Sequence, residues 1–177
     1  MIRVDIEAWP PGHWPQGASA AKGRGFLSQA ADPIALAAPL ACLFVTLVRV
    51  RRVYEPPSAE DGLRLLVDRL WPRGMSRERA ALAAWVREVA PSVELRRWYA
   101  HAPEREAEFR ERYSVELSEG EPAAALAALD EIVSGAERVT LLTATSDIAR
   151  SNARVLAEIL IQSGRDRHLD VGDEPGP

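Results

Sequence analysis

Leu63-Arg64-Leu65-Leu66-Val67-Asp68-Arg69-Leu70-Trp71-Pro72-Arg73-Gly74 is the stretch whose reading decides the fold. Its first part, Leu63 to Val67, reads as a strand buried on both faces, as strands of a helix-covered parallel sheet are. The strand is drawn out to Leu70. It ends in two adjacent opposite charges, a Trp, a Pro, a third charge and a Gly. A strand interior does not need such residues. In open α/β sheets, the loops at the C-terminal ends of strands are where ligands bind.

Upstream, Val48, Val50 and Val53 alternate with Arg, so Thr46 to Val53 is expected to be the first strand. Glu55-Pro56-Pro57-Ser58 breaks it, and Asp61-Gly62 is a turn signal. Downstream, Ser76 can cap a helix carrying Leu82, Trp85, Val86 and Val89, although Leu82, Ala84 and Val86 also alternate as in a strand. Ser92 can cap a short helix with Arg96 and Trp98. Pro103 opens a helix to about Leu117, with Phe109, Tyr113 and Leu117 as its apolar line. Pro122 opens another, with Leu126, Leu129, Ile132 and Val133 inward and Ser134-Gly135 as its stop. Val139 to Leu142 reads as a buried strand. Ser146 or Asp147 is expected to cap a last helix whose inner face is Ile148, Val155, Leu156, Ile159 and Leu160. Strands separated by helices imply a small three-layer α/β sandwich, with a mainly parallel sheet flanked by helices.

The boundaries follow from where the periodicity stops. Residues 1–45 hold Trp9-Pro10-Pro11-Gly12-His13-Trp14-Pro15 and a Gly-rich stretch with no period, and are expected to be a disordered or misassigned N-terminal extension. Residues 46–163 form a single α/β domain. Residues 164–177 end in Gly172-Asp173-Glu174-Pro175-Gly176-Pro177 and read as a disordered tail. The apolar run Ile34 to Val48 contains Pro39, is short for a membrane span and is followed by Arg49, Arg51 and Arg52. No membrane association is expected from it.

Composition excludes several chemistries. The chain has 177 residues, enough for one domain with a real core. A net charge of -4 argues against general affinity for nucleic acid. The only Lys is Lys22, so the expected domain has no Lys for a Schiff base or a phosphate-binding P-loop. Cys42 stands alone, which fits a reducing, cytoplasmic setting and leaves no disulfide framework. His13, His101 and His168 are far apart without ligand spacing, so neither a metal site nor a cofactor is expected.

Two strand ends carry polar groups: Asp68 to Gly74, and Thr143-Ala144-Thr145-Ser146-Asp147. In a parallel sheet both lie on the same edge. The expected site for a small anionic molecule therefore consists of Asp68, Arg69, Trp71, Arg73, Ser146, Asp147 and Asn152. A helix N-terminus would supply N–H groups and an Arg a bidentate contact. The bland alternative is an internal Asp68–Arg pair, a core Trp71 and Ser146 as a mere cap. Asn152 falls on the inner face of the last helix, where an amide must find partners, either by fixing the Thr143–Asp147 loop or by touching a ligand. His101, with Asp68 as an orienting carboxylate, is the candidate acid–base group, but no motif names a reaction. A nucleic-acid module using Arg49, Arg51, Arg52, Arg73, Arg77 and Arg96, and a protein-interaction domain, are the alternatives.

Val53-Tyr54-Glu55-Pro56-Pro57, Asp61-Gly62, Leu66 to Gly74, Ala90-Pro91-Ser92, Glu94-Leu95-Arg96, Trp98 and the Phe109–Tyr113 helix occur in this order. Together they resemble the YeaO-like group within domain-of-unknown-function family 488, over about Val48 to Leu160. The resemblance implies a small soluble cytoplasmic α/β protein that begins near Val48, and it brings no established activity. Other branches of that family carry a Cys and a His near the last strand. Thr143 to Asp147 has no thiol here. The resemblance also leads one to expect an aromatic residue near Thr143 and an acid after His101, where this chain has Ala102.

Overall fold

The structure is a computed structural model that describes residues 45–164 and 166–170. The extension up to residue 44, with Cys42, His13 and Lys22, lies outside the described residues, as do residues 171–177.

Five strands form one sheet in the order β3-β2-β4-β1-β5, and every pairing is parallel. They are β1 (Thr46–Arg52), β2 (Leu63–Leu66), β3 (Ala84–Trp85), β4 (Arg138–Thr143) and β5 (Arg167–Asp170). The helices are α1 (Arg77–Ala80), α2 (Val93–Tyr99), α3 (Glu106–Glu116), α4 (Gly120–Ser134) and α5 (Asn152–Ser163). This is the expected helix-flanked parallel sheet.

Period-two alternation assigns the two faces of the sheet. Val48, Leu65, Val67, Val139 and Leu141 form a buried cluster with Leu95, Phe109, Tyr113, Leu129 and Leu156, so α2 to α5 cover one face. The alternate residues Leu66 and Leu142 join Val53, Met75 and Ala80 in a second cluster, with Trp71 and Trp85 packed against it. The loop after β2 and the short α1 therefore form the third layer. Burying each large apolar side chain contributes roughly 1.5–3 kcal/mol.

The entry to β2 is fixed by a buried charge cluster. Asp61 accepts from Arg51 Nη1 at 2.6 Å and from the Arg64 guanidinium, and its Oδ2 accepts from Ser58 N at 3.0 Å. Arg64 also donates to Ala80 O at 3.1 Å, which ties α1 to the strand. At the following Gly62, φ is +60° and a Cβ would lie 2.1 Å from Arg138 O, so only glycine fits.

The structure departs from the sequence reading in several places: β2 ends at Leu66 and not at Leu70, and Pro103–Arg105 form a 3-10 turn ahead of α3. The segment after Ser76 gives one helical turn, α1, and then the two-residue strand β3, so alternation wins at Ala84 and Trp85. The last helix is capped by Ser151, whose hydroxyl accepts from Arg154 N at 3.2 Å, and not by Ser146 or Asp147. Asp147 turns back on its own backbone, accepting from Arg150 N at 3.3 Å, and this local bond competes with helix. Within the stretch expected to be a tail, Arg167–Asp170 pairs with β1 as β5. Arg167 holds that strand down, donating to Asp130 Oδ1 at 2.5 Å, Leu160 O at 2.7 Å and Ser134 Oγ at 2.5 Å.

Candidate functional site

Beyond β2 the chain passes over one face of the sheet through α1 before it enters the edge strand β3. Beyond β4 it passes to α5 on the other. The two strands are neighbours, so their C-terminal ends part in opposite directions and open a crevice. Such a switch point is where open α/β sheets bind ligands. A cleft of about 400 Å³ lies there.

Asp68 lies in this cleft, one residue past the end of the ladder, where Val67 N donates to Leu142 O at 3.1 Å. Its Oδ1 accepts from Thr143 Oγ1 at 2.9 Å and its Oδ2 from Ala144 N at 2.6 Å. The β2 loop is thus stitched to the β4 loop through one carboxylate. Burial pushes the Asp68 carboxyl above its ordinary range, and the two hydrogen bonds and the nearby Arg96 guanidinium only partly offset that. The backbone N–H expected to face a ligand at this loop already faces Asp68.

The neighbouring residues of the string divide into scaffold and rim. Arg69 donates to Ala90 O at 3.1 Å and Pro91 O at 3.3 Å, fixing the approach to α2. Trp71 donates to Met75 O at 2.8 Å and meets Trp85 edge-on at 5.4 Å. Trp85 in turn donates to Asp68 O at 2.7 Å. Gly74, at φ +71°, closes the turn. Arg73 is exposed on the rim, and its backbone carbonyl accepts from Tyr54 Oη at 3.3 Å. Asn152 donates to Val67 O at 3.0 Å, the loop-fixing role, while still lining the cleft.

Of the expected site residues, the cleft brings together Asp68, Arg69, Trp71, Arg73, Asn152 and His101. Ser146 is exposed and Asp147 is paired with Arg150 at 3.0 Å, and neither lines it. Among the described residues no hydrogen bond joins His101 to Asp68, whose oxygens are turned to Thr143 and Ala144. His101 stands at the cleft with φ +55°, after Ala100 at +45°, and its ring lies 5.4 Å from that of Tyr99.

The sequence reading missed Tyr54, Arg96, Tyr99, Phe109 and Thr145 as lining residues. Tyr99 and Phe109 stack at 4.1 Å and read in sequence simply as core. Arg96 lines the cleft from α2, and no local sequence signal encodes that. Among the described residues, Arg96 and Arg73 have no side-chain hydrogen bond or ion pair, whereas Arg49 and Arg51 are paired with Asp170 and Asp61. No group of three or more His, Cys, Asp or Glu among the described residues is arranged to hold a metal ion. No helix among them is long and apolar enough to cross a membrane.

Comparison with known proteins places this architecture. The uncharacterized protein Rv3073c of Mycobacterium tuberculosis is 50% identical over 115 residues, covering 65% of this chain and 94% of that protein. The uncharacterized protein YeaO of Escherichia coli is 37% identical over 113 residues, covering 64% of this chain and 96% of that one. No solved structure matches the chain at a significant level. A family model described as the inactive DUF488-N3 subclade matches residues 47–175, which include all of the described sheet except Thr46 and both loops of the cleft. The chain therefore belongs to the YeaO-like proteins of domain-of-unknown-function family 488, in the subclade described as inactive.

Proposed function

We propose that this domain binds a small anionic molecule in the cleft between the β2 and β4 loops, as a binding protein and not as a catalyst. One observation carries the reading. Arg73 and Arg96 line the cleft at the sheet's switch point, and among the described residues neither side chain has a hydrogen bond or ion pair. A guanidinium with no acceptor of its own is suited to a carboxylate or phosphate. Tyr54, Leu70 and Trp71 add apolar wall, and Tyr54 and Leu70 are 38% and 61% exposed. The ligand therefore has an apolar body as well as a charge.

The lining supports binding over reaction. Among the described residues it includes no Ser or Cys, and both Asp68 oxygens already accept hydrogen bonds. The family's description as an inactive subclade agrees with this. A nucleic-acid surface has less support, because Arg49 and Arg51 are already held by carboxylates.

The test is a thermal-shift screen of the full chain against carboxylates and phosphates, indole-3-propionate among them, with Arg73→Ala and Arg96→Ala in parallel. A ligand at a hundred times its Kd stabilises the fold by about 2.7 kcal/mol. That is a rise of several degrees for a domain of this size. The expected result is a rise that both variants lose. Equal rises in wild type and variants, or none across the panel, would contradict the proposal.

A further inference from the structure

We propose that the ligand of this cleft is a zwitterion on an aromatic body, with an N–H donor at Asp68 and its anionic group at Arg73 and Arg96. The inference rests on the anion-binding reading and deepens it.

Asp68 sets the first constraint on the ligand. An ionised carboxylate offers about four lone-pair sites and can only accept. Two are taken, by Thr143 Oγ1 and Ala144 N, and Asp68 still lines the cleft. A ligand that entered with an anionic group alone would bring a second negative charge beside a carboxylate already short of water. Like charges in a poorly solvated site repel strongly. Arg96 lies close enough to pull the Asp68 carboxyl down, but burial outweighs it. Asp68 therefore keeps spare lone pairs for a donor beside its two bonds, and the arginines at the rim keep donors for an anion. An ammonium or amine N–H carried by the ligand suits the first, and its carboxylate or phosphate the second.

The walls specify the body. Tyr99 and Phe109, stacked ring on ring at 4.1 Å and nearly buried, back the cleft, Trp71 sits edge-on to Trp85, and Tyr54 stands on the rim. Aromatic rings prefer offset-stacked or edge-on partners of their own kind. The volume of about 400 Å³ is in the range of sites for small ligands. Aromatic amino acids have this combination of ring, ammonium and carboxylate.

The experiment is isothermal titration of the full chain with three probes sharing one ring: L-tryptophan, indole-3-propionate, which lacks the ammonium, and tryptamine, which lacks the carboxylate. The expected result is that L-tryptophan binds at least tenfold more tightly than either. Asp68→Asn, whose amide oxygen can still accept from Ala144 N while its NH2 donates to Thr143 Oγ1, should abolish the preference over indole-3-propionate. Arg96→Ala should weaken both carboxylates. If indole-3-propionate binds wild type as tightly as L-tryptophan, the zwitterion inference fails and the anion reading stands. If neither carboxylate binds, the zwitterion inference fails while the screen of carboxylates and phosphates still decides the anion reading; if tryptamine binds best and ignores Arg96→Ala, both fail. Comparing the three probes on wild type decides the matter even if Asp68→Asn does not fold.

Discussion

Asp61 and Asp68 are seven positions apart, both are held by hydrogen bonds, and they respond to pH in opposite directions. Burial alone would push Asp61 up, but Ser58 N–H and the guanidiniums of Arg51 and Arg64 outweigh it and hold the carboxyl below its usual range. Its contribution is therefore present above the ordinary carboxylate range and is lost as pH falls through the depressed folded value. Asp61→Asn should cost about 3–5 kcal/mol, because it leaves buried Arg64 without its counter-charge. Arg64 Nη2 already lacks an acceptor, so nothing nearby can compensate. Urea midpoints of the two proteins should differ widely at neutral pH and converge in acid. A gap independent of pH would contradict the assignment. Asp68 has the reverse sign. Its raised folded value means the fold favours the protonated form, a stabilisation present below the unfolded value and lost as pH rises through the folded one. Asp68→Asn should match or exceed wild type in Tm at neutral pH, with the advantage shrinking as pH falls. A large loss of Tm at neutral pH would show Asp68 to be a structural acceptor only.

At the scale of elements, the strands were legible where burial is two-sided. Leu63–Leu66, apolar apart from Arg64, and Val139–Leu142, apolar apart from Thr140, are short, mostly apolar stretches bounded by turns, which fits strands buried on both faces. The Ser92 cap of α2 was legible for the same kind of reason, since its hydroxyl accepts from Leu95 N at 3.0 Å as the local pattern requires. What escaped were elements decided from elsewhere in the chain. β5 has little apolar signal of its own and exists because Arg167 reaches α4 and α5. Arg167→Ala should therefore destabilise the domain by roughly 1.5–3 kcal/mol, the range for a hydrogen bond to a charged group. It should also release β5, seen as fast hydrogen exchange at His168 and Leu169 while β4 stays protected. Unchanged protection at β5 would mean that pairing with β1 suffices. The start of α5 escaped too, because Ser146, Asp147 and Ser151 are all cap residues. Only the Asp147–Arg150 turn decides among them.

At the scale of the molecule, the two polar strand ends were legible as lying on one edge, because parallel strands put all their C-termini together. Their junction through Asp68, Thr143 and Ala144 confirms that placement in atomic terms. The rest of the cleft was not legible. Tyr54, Arg96, Tyr99 and Phe109 arrive from β1's exit, α2 and α3, and their convergence is a product of how the helices cross the sheet. A second groove lies between α2 and α3, lined by Trp98, Val115, Glu108 and Glu111. Arg112 already covers the Trp98 ring at 4.3 Å. The two grooves carry one indole marker each, Trp71 and Trp98, which allows a direct comparison in solution. The measurement is a ¹⁵N–¹H correlation spectrum of the full chain during titration with indole-3-propionate. The expected result is that the Trp71 indole N–H and the Ala144 and Thr145 amides shift together and saturate, while the Trp98 indole stays in place. Shifts confined to Trp98 and its neighbours, or no shifts at all, would contradict a ligand site at the β2–β4 edge.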